Sequence, residues 1–152
     1  MNENLTAALY ERHAKILTAD GRKITPCVED GWYTLIDELC GQLQRMTDRE
    51  GAPQVVARQI KEKLGGLRFY VGKAHVNQHA QIRFAEGLSY RICETCGAVG
   101  QLLATERHWL LTRCPLHAPP GATPTVPENH FLRMTVSYPA DDEGDEGKGG
   151  DR

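Results

Sequence analysis

The sequence predicts an α+β fold, and three observations carry that prediction. Between Gly31 and Met46, the residues Trp32, Leu35, Ile36, Leu39, Leu43 and Met46 recur at steps of three and four, the period of a helix with one buried face. Between Val55 and Val71, two apolar runs flank Gly65-Gly66, a pair suited to a two-residue hairpin turn at positive φ. Beyond residue 92, two pairs of cysteine and histidine residues bracket a strand-turn-strand pattern. The expected architecture is therefore a set of N-terminal helices packed on a small antiparallel sheet, with a compact module in the C-terminal half organised by those paired residues.

The elements follow in order. From Asn2 to Leu17, the residues Leu5, Ala8, Leu9, Ile16 and Leu17 keep mostly helical spacing, and Gly21 ends the helix. Thr25 to Gly31 reads as a turn, with Cys27 next to Pro26 as a thiol that has no visible activating neighbour. The helix from Gly31 to Met46 comes next. Its Trp, Leu and Ile positions, and Cys40 among them, belong to the core. Thr47 to Pro53 is a polar linker. Gln54 to Gly72 has two readings: a hairpin, which is preferred, or a short helix through Val56, Ile60 and Leu64 capped by Gly65. Leu67 to Val71 is a strand in both. His75 to Ile92 reads as a helix with Val76, Ala80, Phe84, Leu88 and Ile92 stepping by four along one face, and it leads directly into Cys93. The cluster Ala118-Pro119-Pro120-Gly121-Ala122-Thr123-Pro124 breaks regular structure, and Phe131 to Tyr138 alternates as a last short strand.

The 152 residues carry a net charge of −2, and position matters more than the total. Residues 141–152 hold six acids against two bases, which leaves 16 bases and 14 acids in the rest. That terminal stretch is Gly-rich and has no apolar residue after Ala140, so it is expected to be a disordered acidic tail after a single domain over residues 1–140. There is no apolar run of the ~20 residues needed to cross a bilayer. Residues Met1 to Leu5 lack the basic-then-apolar layout of a signal peptide. A soluble cytoplasmic protein with no membrane contact is expected.

Five cysteines in such a compartment argue for metal or core positions over disulfides. Cys93-Glu94-Thr95-Cys96-Gly97 and Cys114-Pro115-Leu116-His117 give C-x2-C, 17 intervening residues, then C-x2-H. Two residues between paired ligands allow one tight turn to aim both at the same ion, and Zn(II) takes four such ligands in a tetrahedron. The Gly after the second Cys suits the positive φ that ends a knuckle of this kind. Inside the interval, residues 100–104, 105–108 and 109–112 read as strand, turn and strand. The expected unit is a zinc-ribbon or treble-clef-like module over about residues 90–118, the difference being whether a helix follows Cys114. Cys93, Cys96, Cys114 and His117 are the expected ligands of one structural Zn(II) per chain; His108 is a rival fourth ligand but falls near the hairpin tip. The rival to any metal site is that these are small buried side chains that chance has spaced this way.

Catalytic patterns are hard to place. The H-x-E and P-C-x-x-C of zinc deaminases and the H-E-x-x-H of metalloproteases are absent from the sequence. A treble-clef nuclease would have to draw on Asn129 and His130, without an acid at suitable spacing. The expectation is a non-enzymatic protein. For partners, Arg58, Lys61, Lys63 and Arg68 on the presumed hairpin, with Tyr70 beside them and Arg107 and Arg113 near the metal module, form a modest patch interleaved with Glu62, Glu94 and Glu106. A near-neutral body with an acidic tail predicts weak or no direct nucleic-acid binding, although Phe69 and Tyr70 beside Arg68 offer stacking faces. A nucleic-acid-binding zinc module is the alternative to a protein-binding one, and a homodimer is compatible with either.

The run Gln59-Ile60-Lys61-Glu62-Lys63-Leu64-Gly65-Gly66-Leu67-Arg68-Phe69-Tyr70, then Cys93-x2-Cys96-Gly97, then Trp109-x2-Thr112-x-Cys114-x2-His117, resembles short uncharacterised proteins of bacteriophages and proteobacterial prophages. The resemblance covers about residues 31–118. It implies a zinc-binding protein of a mobile element, with the metal ligands at Cys93, Cys96, Cys114 and His117, and carries no activity with it. By analogy with small phage proteins that act on host machinery, the expected partner is a host protein or nucleoprotein complex that the protein modulates or inhibits, as anti-CRISPR proteins do.

Overall fold

The computed structural model describes residues 1–127, and the fold there is α+β. The acidic tail, the strand expected over Phe131 to Tyr138, and Asn129 and His130 lie outside the described residues.

The first helix is shorter than its spacing suggested. α1 (Glu3–Arg12) starts at Asn2, whose side chain accepts from Leu5 N at 3.0 Å, and ends at His13. A single turn, α2 (Ala14–Leu17), follows it. The break has a cause in Asp37, which is buried and binds Arg12 at 2.6 Å and His13 Nε2 at 2.7 Å, so the His13 side chain turns inward at the junction while Arg12 reaches Asp37 from the surface. Gly21 does not stop a helix. It and Asp20, both at positive φ, form the turn of a small ribbon, β1 (Thr18–Ala19) with β2 (Arg22–Lys23).

A 3-10 turn over Asp30–Trp32 leads into α3 (Tyr33–Glu50). Its buried face, Leu35, Ile36, Leu39, Cys40, Leu43 and Met46, is the predicted one, and Trp32 is fully buried beside it. The helix runs beyond Met46 because Thr47 turns its hydroxyl back onto Leu43 O and Pro53 O, and Gly51, at φ +70°, closes the end. Cys40 is packed inside, its thiol pushed up to about 12 by burial and by Asp37, whereas Cys27 is exposed. Iodoacetamide on the folded protein, followed by peptide mass spectrometry, should therefore label Cys27 and leave Cys40 unmodified until denaturant is added.

The hairpin reading of residues 54–72 holds, with the turn shifted by one residue. β3 (Ala57–Lys63) pairs antiparallel with β4 (Gly66–Val71), Lys63 opposite Gly66, so Leu64-Gly65 is the two-residue loop. Both sit at positive φ, as a type I′ turn requires. Gly66 is needed for a different reason: a Cβ there would lie 2.4 Å from the Tyr90 ring.

α4 (Val76–Ser89) departs most from expectation. It is capped at His75, with Gln78 completing the box, and its buried residues are Gln78, Ile82, Ala85 and Ser89. The stripe Val76, Ala80, Phe84, Leu88 is exposed. The physical reason is rotation: a step of four residues overshoots a turn by about 40°, so a strict four-residue ladder winds off any one face. The 4-3-4 spacing of the buried residues stays on one. Two of them are polar, which hid the face, but both are satisfied. Gln78 donates to Pro53 O at 2.8 Å and accepts from His75 N; Ser89 donates to Glu86 O and accepts from Leu67 N at 2.9 Å. α3 and α4 run antiparallel, since Gln78 near the start of α4 meets Thr47 and Pro53, while the Trp32 indole donates to Ile92 O at 2.9 Å.

Candidate metal centre

The metal module follows α4 after three residues. Cys93 N donates to Ala98 O and Gly97 N to Cys93 O, each at 2.8 Å, and Gly97 takes φ +77°, which makes the knuckle expected from Cys-x2-Cys-Gly. β5 (Gln101–Ala104) then pairs antiparallel with β6 (Leu110–Arg113). β6 delivers Cys114, and a tight turn in which His117 N donates to Cys114 O brings His117 back. Among the described residues no helix follows Cys114; the chain instead adds β7 (Thr123–Pro124) to the free edge of β5, giving the order β6-β5-β7. The breaker cluster thus ends in a short edge strand, where a proline is tolerated.

Cys93, Cys96, Cys114 and His117 converge. Their ligand atoms lie within 4.8 Å of one another, with Cys96 Sγ to Cys114 Sγ 3.7 Å, Cys93 Sγ to His117 Nδ1 3.7 Å and Cys114 Sγ to His117 Nδ1 3.2 Å. For bonds of ~2.3 Å to sulfur and ~2.05 Å to nitrogen, a tetrahedron about zinc has S···S edges of about 3.8 Å and S···N edges of about 3.6 Å. The two 3.7 Å spacings match those edges; Cys114 Sγ to His117 Nδ1 is shorter and the cluster spreads to 4.8 Å, so the four atoms are close enough together to share one ion after a small adjustment. The sulfurs are far beyond the ~2.05 Å of a disulfide, and all five cysteines are free. The four residues can hold a zinc ion. His108 is at the exposed tip of the β5–β6 loop, at φ +61°, and is no part of the cluster.

The electrostatics favour the thiolate at Cys93 and Cys114 but not at Cys96, where the Ala98 backbone N–H favours the charged form and is outweighed by burial and by the neighbouring Cys114 and Cys93, which raise the pKa. Burial works against the charged form at Cys93, but the backbone N–H groups of Cys114, Cys96 and Thr95 outweigh it and bring the thiol down to about 6. Cys114 is likewise lowered, burial being overcome chiefly by its hydrogen bond with His117. His117 is raised by Cys114 and then Cys93.

Sequence reasoning missed the shell around these ligands, which comes from the other end of the chain. Gly31 N donates to Glu94 O at 2.7 Å, and a Cβ on Gly31 would meet Cys93 O at 2.2 Å, Gly97 N at 2.4 Å and Glu94 O at 2.6 Å. Arg113 binds Glu29 at 2.5 Å and Glu94 at 3.0 Å; Glu94 also accepts from Glu29 N, and Thr95 donates to the Glu29 carboxylate. Burial raises the pKa of the Glu94 carboxyl, with Arg113 as the main opposing influence. From the third side, Thr112 donates to Gly65 O at 2.6 Å, tying the β3–β4 turn to the strand that carries Cys114. The one sequence signal for this shell is a glycine between Asp30 and Trp32.

The residues read as a partner patch are spread over different settings. Lys61 lies over the Tyr70 ring at 5.5 Å, on the outer face of the hairpin. Arg58 and Lys63 are exposed on β3. Arg68 is not displayed: it is 9% exposed, bound to Leu67 O and the Tyr90 hydroxyl, and stacked on the Tyr90 ring. Arg107 is exposed in the β5–β6 loop next to Trp109, which is 73% exposed. Phe69 is buried and Tyr70 is exposed, so one aromatic faces the core and the other the solvent. No helix of the described residues is long and apolar enough to cross a membrane. Comparison with family models, curated proteins and solved structures finds no match.

Proposed function

We propose that this is a non-enzymatic, zinc-organised interaction protein of bacteriophage or prophage origin that binds a host protein or nucleoprotein complex and modulates or inhibits it. One Zn(II) per chain, held by Cys93, Cys96, Cys114 and His117, has a structural role: four protein ligands fill a tetrahedron and leave no position for substrate. The observation that supports a protein partner is the surface of the metal module. Trp109 stands out from the β5–β6 loop, and Val99 and Leu116 are almost fully exposed elsewhere on the same module. A rigidly mounted, exposed tryptophan flanked by an arginine is the usual anchor of a protein interface, and ordering it on a metal-fixed loop lowers the entropic cost of binding.

Zinc-loaded full-length protein immobilised in nuclease-treated bacterial lysate should retain a host protein that rebinds after separate purification. Trp109→Ala should weaken that binding at least tenfold and leave the melting temperature within a degree or two, because the side chain is not packed. The nucleic-acid reading rests on Arg107 beside Trp109, which could clasp a base. It predicts the opposite pattern: affinity for plain single-stranded or duplex DNA that falls steeply with salt and is lost with Trp109. An inhibitory role would appear as restored plaque formation by a targeted phage in a host with active immunity.

A further inference from the structure

The exposed stripe of α4 borders a groove against α3, lined by Leu35, Leu39, Gln81, Phe84, Ala85 and Leu88. Phe84 is 68% exposed, a large apolar side chain left in water on a helix whose opposite face is well packed. On α3, the groove rim carries Glu38, Gln42 and Arg45, which follow one another at i, i+4 and i+7 on one stripe. Among the described residues Arg45 is bonded only to Gln42, at 2.8 and 3.1 Å, with no acidic partner, and Glu38 has no ion pair or hydrogen bond.

From this we infer that the α3–α4 face is the interface of a two-fold symmetric homodimer. The argument is self-complementarity, which a two-fold contact demands and a contact with an unrelated protein does not. Glu38 and Arg45 are seven residues apart, about 10 Å along the helix. A two-fold axis crossing α3 near Gln42, midway between them, sets each Glu38 against the other copy's Arg45 and pairs all four charges that have no ion pair among the described residues. Since α4 runs antiparallel to α3, Phe84 lies across from the middle of α3, near the same axis, and the two Phe84 rings are brought together over the paired grooves. The body of the chain is near neutral, so two copies meet without strong repulsion. The apolar part is small beside the ~800 Å² per partner of a standard interface, which makes this a weak, micromolar dimer.

Sedimentation equilibrium of the zinc-loaded full chain, over a concentration series from about 1 µM to about 1 mM, tests this. A monomer–dimer equilibrium is expected. Phe84→Asp, at an exposed position that should not disturb folding, is expected to weaken it about 100-fold. Glu38→Arg and Arg45→Glu alone should each weaken it about tenfold, because symmetry breaks both ion pairs, and the double variant should regain most of the loss. A protein that stays monomeric across the series overturns the inference, as does a dimer indifferent to Phe84→Asp, and as do single swaps that the double variant fails to rescue. The face is separate from Trp109, so loss of dimerisation leaves the proposed partner binding to be judged on its own experiment.

Discussion

Stripping the purified protein with a strong chelator is expected to release about one zinc per chain and to abolish cooperative thermal unfolding of the metal module. A structural zinc on four protein ligands contributes ~10–16 kcal/mol of apparent binding energy, comparable to the ~5–15 kcal/mol that holds a whole domain together. The loss should spread beyond residues 90–118. Trp32, fully buried in the main core, donates to Ile92 O one residue before the first ligand, and the Gly65 carbonyl is held by Thr112 two residues before the third. Near-ultraviolet circular dichroism should thus lose the Trp32 signal together with the metal. Cys96→Ser should reproduce the effect without chelator, and elemental measurement should find the variant without zinc. Zinc-free wild-type protein that still melts cooperatively at the same temperature would sink a structural role for the ion.

The second large effect is expected far from any ligand in sequence. Gly31→Ala adds one methyl group at a point where three backbone atoms of the knuckle stand within 2.6 Å of it. Backbone cannot swing aside as a side chain can, so either the 29–32 segment lifts off or the knuckle deforms. Overpacking usually costs about 1–3 kcal/mol; here, with Cys93 and Gly97 themselves pushed, about 3 kcal/mol or more is expected. The distinguishing readout is metal affinity. Competition with a chromogenic chelator should show zinc held at least tenfold less tightly, although no ligand has been changed. Gly41→Ala is the control: it sits in α3, where the closest contact is the flexible end of Arg45 at 3.3 Å, and helix propensity favours alanine there. It should leave zinc affinity unaltered.

What the sequence made legible was what repeats or pairs locally. The α3 face, the pairing of Cys93 and Cys96 with Cys114 and His117, and the β5–β6 hairpin each follow from short-range spacing, and the structure holds that helix face, that cluster and that hairpin. The β3–β4 hairpin was legible because its glycines are turn residues. That the loop is Leu64-Gly65 was not, since leucine seldom takes positive φ and the register goes with long-range packing, Gly66 against Tyr90 and Gly65 against Leu102 and Thr112. The α4 face was misread because its buried side includes Gln78 and Ser89, whose satisfaction depends on Pro53 and Leu67, partners more than 20 residues away. Asp37 was invisible for the same reason: a buried carboxylate is intelligible only beside Arg12 and His13. The clasp of residues 29–31 on the knuckle has no local pattern at all.

That clasp has a consequence for how the chain is made. Glu29, Gly31 and Trp32 are synthesised early, but the groups that fix them, Ile92, Glu94 and Arg113, come 60 to 84 residues later. At ~5–20 residues per second, roughly 4–17 s separate Trp32 from His117 at the ribosome. For the first 60 residues of that interval, until Ile92 is made, the indole of Trp32 has no native acceptor, and the apolar face of α3 lacks α4 until Ser89 is added. The early part of the chain therefore completes its packing only when the late part arrives.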